Sequence, residues 1–223
     1  TFYGSAGSSN ISLMDDTTPT AGEESWDDVS GATAHAYGPT GLDTFFYQNS
    51  SLIDGVTIGL DYIPSDGASQ IESSTAATIK YTGIDGLTIG AGVGEDNGEG
   101  PTDSDDVTAF NVTYAMDAIS VGYSSYEVDT NNAGNSTAGT SFVGDTTLTA
   151  MGISYAVSDD LSVSINSSET EIQGLTDQEA MGISASLVVG SMTLSANHNS
   201  VDNVGGTAGK DRSGYAMGLS FAF

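Results

Sequence analysis

The chain has no cysteine, four prolines, and three basic residues (Lys80, Lys210 and Arg212) against thirty acids, for a net charge of -27 over 223 residues. Without cysteine there is neither a disulfide framework nor a thiolate metal site. An excess of negative charge on this scale repels nucleic-acid phosphates, so nucleic acid is excluded as a partner. No stretch approaches the roughly 20 consecutive apolar residues of a membrane-crossing helix, and Lys, Arg and Glu are too scarce for a helical protein. The chain opens at Thr1 with no initiating Met and no leader, and it reads as processed or truncated.

What is abundant is glycine, at 29 residues, together with Ser, Thr, Asn and Asp. That composition favours many short strands joined by polar turns. From Leu42 onward one unit recurs, about ten residues of alternating polarity followed by a turn, and the turns are of two kinds in strict alternation. Ser51 to Gly55, Gly83 to Gly86, Met116 to Ala118, Ser158 to Asp160 and Val189 to Ser191 are short. Ser65 to Ser74, Gly94 to Asp106, Asp129 to Asp145, Glu169 to Gln178 and Val201 to Arg212 are long and polar. Tight turns at one rim and long loops at the other are the pattern of a transmembrane β-barrel. Because its strands alternate, such a barrel leaves no hydropathy peak.

The period of two assigns faces. Val56, Ile58, Leu60 and Tyr62 lie on one side, as do Ala77, Ile79 and Tyr81; Leu87, Ile89, Ala91 and Val93; Phe110, Val112, Tyr114 and Met116; and, in the second half, Ile153, Ile165, Ile183 and Leu194 with their alternates. Between them stand Thr57, Gly59, Asp61, Thr78, Lys80, Gly90, Asn111, Ser164, Asn166, Ser184 and Asn197. Alternation alone also fits a soluble sandwich. The unusually small, polar second face suits a water-filled lumen better than a solvent surface. Tyr81, Tyr114 and Tyr155, each just before a short turn, suit an interfacial girdle, with the ring among acyl chains and the hydroxyl at headgroups. A ten-residue strand tilted by about 40° rises roughly 25 Å, the height of an outer-membrane apolar band.

The last ten residues, Gly214 to Phe223, have apolar or aromatic side chains at every odd position from Tyr215 and end on Phe. This resembles the closing strand of Gram-negative porins, and the chain is similar to the C-terminal part of a general diffusion porin of the marine alphaproteobacterial type. The resemblance implies an all-β, antiparallel up-and-down barrel in the bacterial outer membrane, with eleven strands here of sixteen, counted from Leu42 to Gln48, and five missing before them. It implies passive diffusion of small hydrophilic solutes and cations, outer-membrane lipid as surroundings, a homotrimer, and no enzymatic activity. Residues 1–40 are then the inward-folded acidic constriction loop, and 41–223 the strands of one barrel domain.

Candidate pore-lining residues follow. Asp15, Asp16, Glu23, Glu24, Asp27 and Asp28 crowd six acids into fourteen positions around Trp26, which could anchor the segment to the wall. Asp61 and Lys80 have the inward phase, and for Lys80 the alternative of facing lipid would cost roughly 2 to 4 kcal/mol. The acids Glu95, Asp96, Glu99, Asp103, Asp105 and Asp106 fall in a long loop, where hard cations such as Ca²⁺ could bind weakly, although no EF-hand spacing is present. No resident cofactor is expected. His35 and His198 lie near no nucleophile motif, and the glycine-rich run 90–94 lacks the setting of a phosphate loop. The other reading is an exported, acidic β-rich adhesin or surface-layer protein stabilised by calcium.

Overall fold

The computed structural model describes residues 2–5, 9–14, 17–32, 44–65, 73–97, 105–130 and 144–222. Twelve strands form one sheet among them: β1 (Phe2–Ser5), β2 (Thr44–Ile53), β3 (Val56–Ile63), β4 (Ser74–Ile84), β5 (Leu87–Asp96), β6 (Asp105–Met116), β7 (Ile119–Thr130), β8 (Thr146–Ala156), β9 (Leu161–Ile172), β10 (Gln178–Val189), β11 (Met192–Asp202) and β12 (Arg212–Phe221). Their hydrogen-bonding order is their order in the sequence, with β1 and β12 at its two ends. The up-and-down antiparallel meander expected from the alternation is present.

The turns explain the register. Ile53 pairs with Val56 and Ile84 with Leu87, leaving the two-residue turns Asp54-Gly55 and Asp85-Gly86, in which Gly55 and Gly86 take φ of 71° and 72°. In each turn only the glycine takes the left-handed conformation, which costs it nothing sterically, and the pairing shifts register just before both turns, between Asn49 and Ile53 and between Tyr81 and Ile84.

Two expectations are corrected. The strand beginning near Leu42 runs from Thr44 to Ile53 and is not an edge: Phe2 to Ser5 pair with Tyr47 to Thr44 on its other side. The eleven strands counted from Leu42 onward are β2 to β12, and Phe2–Ser5 adds a twelfth before them. Four residues are too few for a periodicity to show. Second, the strands run several residues into the supposed long loops; Asp105 and Asp106 belong to β6, and Glu169 to β9.

That extension has a physical pattern. Over most of each strand the apolar side chain is the exposed one: Ile153 is 42% exposed, Ile183 55% and Met217 77%. The opposite face carries buried Asn111, Ser164, Asn166, Ser184 and Asn199. Toward the long-loop ends the polarity inverts. Val107, Ala109, Tyr126, Val128, Leu148, Ala150, Ala180 and Val201 are buried there, while their strand neighbours Asp106, Thr108, Glu127, Asp129, Glu179 and Asp202 are exposed. The strand thus continues beyond its apolar band with acids on the exposed face and apolar side chains on the buried one.

The chain divides into two compact units. One comprises Thr1–Asp16, His35–Val112 and Ser125–Thr147; the other comprises Thr17–Ala34, Thr113–Ser124 and Leu148–Phe223.

The two zones of the exposed face differ in what they tolerate. Ile153→Lys or Ile183→Lys is expected to lower folding stability in lipid vesicles by about 2 to 4 kcal/mol, and Thr108→Lys, beyond the apolar band, by about 1 kcal/mol or less. Denaturant titration of the three variants checks this, and equal costs at all three positions would contradict a lipid-facing band.

Candidate functional site

Residues 17–32 form no strand. They lie against the small polar face of β9 to β12 and are held chiefly through their own backbone. Thr20 shares hydrogen bonds with the Ser164 and Ser184 hydroxyls at 3.3 and 3.2 Å, these two serines being themselves 2.6 Å apart and cross-strand partners. The Ala21 N–H donates to Ser164 Oγ at 2.8 Å. Asn166 Nδ2 donates to the Glu23 carbonyl at 3.2 Å, and Asn199 Nδ2 to the Glu24 and Asp27 carbonyls, both at 2.8 Å. Asn197 Nδ2 reaches Asp28 Oδ2 at 3.1 Å, and the Arg212 guanidinium donates to the Ser30 carbonyl. These partners are mainly neutral amides and hydroxyls. Polar backbone with no secondary structure of its own obtains from the wall the hydrogen bonds that a strand would obtain from a neighbour.

Glycines make the approach possible. A Cβ on Gly152 would stand 2.8 Å from the Pro19 carbonyl oxygen, and one on Gly214 would stand 2.5 Å from the Asp28 carbonyl oxygen. Pro19 also covers Gly122, and Ser25 covers Gly182. Any side chain at these positions would push the segment off the wall. Farther along, Val29 packs with Ala180, Val201 and Val204, and Ala32 joins them. Trp26 is 5% exposed.

In the other unit a shorter piece is fastened similarly. Asn10 donates its backbone N–H to Asp61 Oδ2 at 2.7 Å and its side-chain amide to Asp61 Oδ1 at 2.8 Å. Ile11 and Met14 lie over Gly92, and Asn10 over Gly59. Asp61, buried on β3, therefore acts as an acceptor that fixes residues 9–14. Lys80 is exposed on β4 and pairs in register with Thr57 and Gly90, which share its face.

The sequence-derived acids separate accordingly. Glu23 and Asp28 are exposed, Asp27 is half-buried and Glu24 is buried; the carboxylate oxygens of Glu23, Glu24 and Asp27 lie within 4.8 Å of one another. Asp28 stands at a left-handed φ of 58°. Asp15 and Asp16 fall outside the described residues, as do Glu99, Asp103 and His35. Of the remaining loop acids, Asp96 accepts a hydrogen bond from the Ser74 hydroxyl at 3.0 Å. His198 packs against Tyr215 with ring centroids 4.3 Å apart. The residues that hold the segment, Ser164, Asn166, Ser184, Asn197 and Asn199, read in the sequence as generic wall; their recurrence at every second position was the available signal.

Filling the glycine bed is expected to release the segment without unfolding the sheet. Gly152→Val should raise protease cleavage within residues 17–32 several-fold, while heat-modifiable gel migration stays unchanged. Thr149→Val, on the opposite face of β8, should do neither.

No protein-family model matches the sequence, and no curated protein matches it significantly. Solved structures do resemble it. OmpF of Salmonella typhi, in complex with daunomycin, aligns at 16% identity and a TM-score of 0.62, over 82% of this chain and 63% of that one. A structure described under asymmetric conductivity of engineered proteins aligns at 20% identity and a TM-score of 0.62, over 99% and 72%. In-vitro folded OmpT of Vibrio cholerae, an outer-membrane protein, aligns at 16% identity and a TM-score of 0.61, over 100% and 76%. The chain thus spans 63% to 76% of the length of these structures. At such identities the likeness concerns architecture, and the architecture it establishes is the antiparallel up-and-down strand arrangement of the outer-membrane porin barrels.

Proposed function

We propose that the protein is a channel of the bacterial outer membrane through which small polar solutes and ions diffuse passively, with residues 17–32 at its narrow section and a preference for cations. The observation that carries this reading is an acidic segment bound by its backbone to the small polar face of a sheet whose other face is apolar and exposed. Such a sheet tolerates hydrocarbon on one side only, and water on the other. Self-association as a trimer, the form recorded for in-vitro folded OmpT of Vibrio cholerae, belongs to the same reading.

Selectivity in such a pore comes from its width and the fixed charge at its narrowest point. Charges more than about 8 to 10 Å from the ion path are screened at physiological salt. Most of the thirty acids therefore count for little. Those of the segment count most: Glu23, Glu24, Asp27 and Asp28, with Asp15 and Asp16 beside them in the sequence, and Lys80 as a charge of opposite sign. The wall holds the segment's backbone, so the acid side chains can change without removing most of the hydrogen bonds that fasten it.

The reversal potential across a planar bilayer under a salt gradient tests this. The parent is expected to be cation-selective, and combined Glu23→Gln, Asp27→Asn and Asp28→Asn should move the cation-to-anion permeability ratio toward one while open steps persist. An anion-selective parent would overturn the charge assignment; the absence of any conductance step would overturn the channel.

A further inference from the structure

Two of the long turns are fastened to each other. Where the turn after β9 meets the turn after β11, the Thr176 N–H donates to the Gly206 carbonyl at 3.2 Å, the Gly205 N–H to Gln178 Oε1 at 3.0 Å, and Asn203 Nδ2 to the Asp177 carbonyl at 3.0 Å. Asn203 is the hub. Its Oδ1 accepts from the Gly209 N–H at 2.9 Å and its own N–H donates to Asp211 Oδ1 at 3.2 Å, so one residue closes its own turn and grips the neighbouring one. It stands at a left-handed φ of 53°, which asparagine tolerates better than most side chains do.

The turn after β11 also holds the end of the acidic segment. Val204, within that turn, is fully buried and packs with Val29, Ala180 and Val201. The Ala32 N–H donates to the Val29 carbonyl at 3.0 Å, which bends residues 29–32 back on themselves. Gly31, at a φ of 81°, passes so close that a Cβ there would stand 3.6 Å from the Val204 side chain and 3.9 Å from the Arg212 guanidinium. A Cβ on Gly205 would stand 3.5 Å from the Gly31 carbonyl oxygen. Arg212, which opens β12, donates to the Ser30 carbonyl. Serines and asparagines of the strands grip residues 20–28, whereas Ser30 and Gly31 meet Val204, Gly205 and Arg212.

We infer that the two joined turns form a clasp on the end of the segment, and that the clasp sets how often the channel closes. While Asn203 keeps the turns together, Val204 and Arg212 keep residues 29–32 against the wall; when the turns part, this end swings free and Asp28, next to it, leaves Asn197. Local opening of this kind takes the few bonds of a turn and no strand pairing. Its effect on closures rests on the channel reading; the clasp itself does not.

Asn203→Gly tests this with least disturbance. Glycine accepts the left-handed backbone at no steric cost, so the change removes the two side-chain hydrogen bonds and alters no charge. In protein folded in detergent, amide hydrogen exchange in residues 29–32 should quicken roughly tenfold, as the loss of two hydrogen bonds from a local opening equilibrium implies, while the centres of β9 to β11 exchange as in the parent. Arg212→Met should act likewise, and Arg212→Lys, which keeps a donor and the charge, should restore most of the parent rate. Thr207→Ala, an exposed position on the same turn, should change nothing. In a planar bilayer Asn203→Gly should raise the frequency of brief closures several-fold without altering the size of the open step. Should Asn203→Gly fail to fold, as heat-modifiable migration would reveal, Arg212→Met against Arg212→Lys decides by the same readouts. Unchanged exchange in residues 29–32 of a folded variant overturns the clasp, and faster exchange with an unchanged closure frequency overturns its control of the channel. A parent without conductance would overturn the channel reading, and the exchange rates would still decide the clasp.

Discussion

Residues 17–32 can lie against the sheet because the wall is glycine at the points of closest approach. Pro19 rests over Gly122 and Gly152, Ser25 over Gly182, and the Asp28 carbonyl over Gly214. At these separations a methyl group would already collide. Close approach brings the segment's carbonyls and N–H groups within reach of the serine hydroxyls and asparagine amides standing between the glycines. Each neutral hydrogen bond of this kind contributes about 1 kcal/mol net. Fixing an unstructured residue costs about 1 to 2 kcal/mol of backbone entropy. The hold therefore depends on several bonds acting together, and on the apolar contact of Val29 with Ala180, Val201 and Val204.

The same economy of side chains shapes both faces of the sheet. Where the inner face must accept the segment, it is built of Gly, Ser and Asn, and the bulk of each strand is carried outward as Ile, Val, Leu, Met and Tyr. Past the apolar band the requirement reverses. Val107, Ala109, Tyr126, Val128, Leu148 and Ala150 are buried there, and carboxylates such as Asp106, Glu127 and Asp129 take the exposed positions between them. A single strand therefore meets two environments without any break in its ladder, because the backbone pairing is indifferent to which face is apolar.

Charge and attachment are divided between different atoms. In residues 17–32 the backbone makes most of the bonds to the wall, while the carboxylates of Glu23 and Asp28 remain exposed. In residues 9–14 the arrangement is the opposite: the wall supplies the acid, Asp61, and the short piece supplies the donors from Asn10. An acid with the inward phase thus serves as a fastening in one unit, and acids of the segment remain accessible in the other. Phase does not separate these roles; the donors that meet the carboxylate do.

The all-β architecture, the order of the hairpins and the outward set of Ile153, Ile183 and their alternates were legible in the sequence, because a period of two and the Asp-Gly turns are local properties that each strand states for itself. Less was legible where a signal is short or inverts. Phe2 to Ser5 is too brief to register as a strand, and Asp105 and Asp106 read as loop because the strand's polarity inverts there. That six acids cluster near the start of the chain was equally visible. What only the tertiary structure decided is how they are distributed: Glu24 buried beside Glu23 and Asp27, Asp28 drawn to Asn197, and Asn166 and Asn199 placed beneath residues 23–27. Those pairings join residues about 140 to 175 positions apart. Alternation assigns each residue to a face, but it carries no information about which distant segment that face will receive.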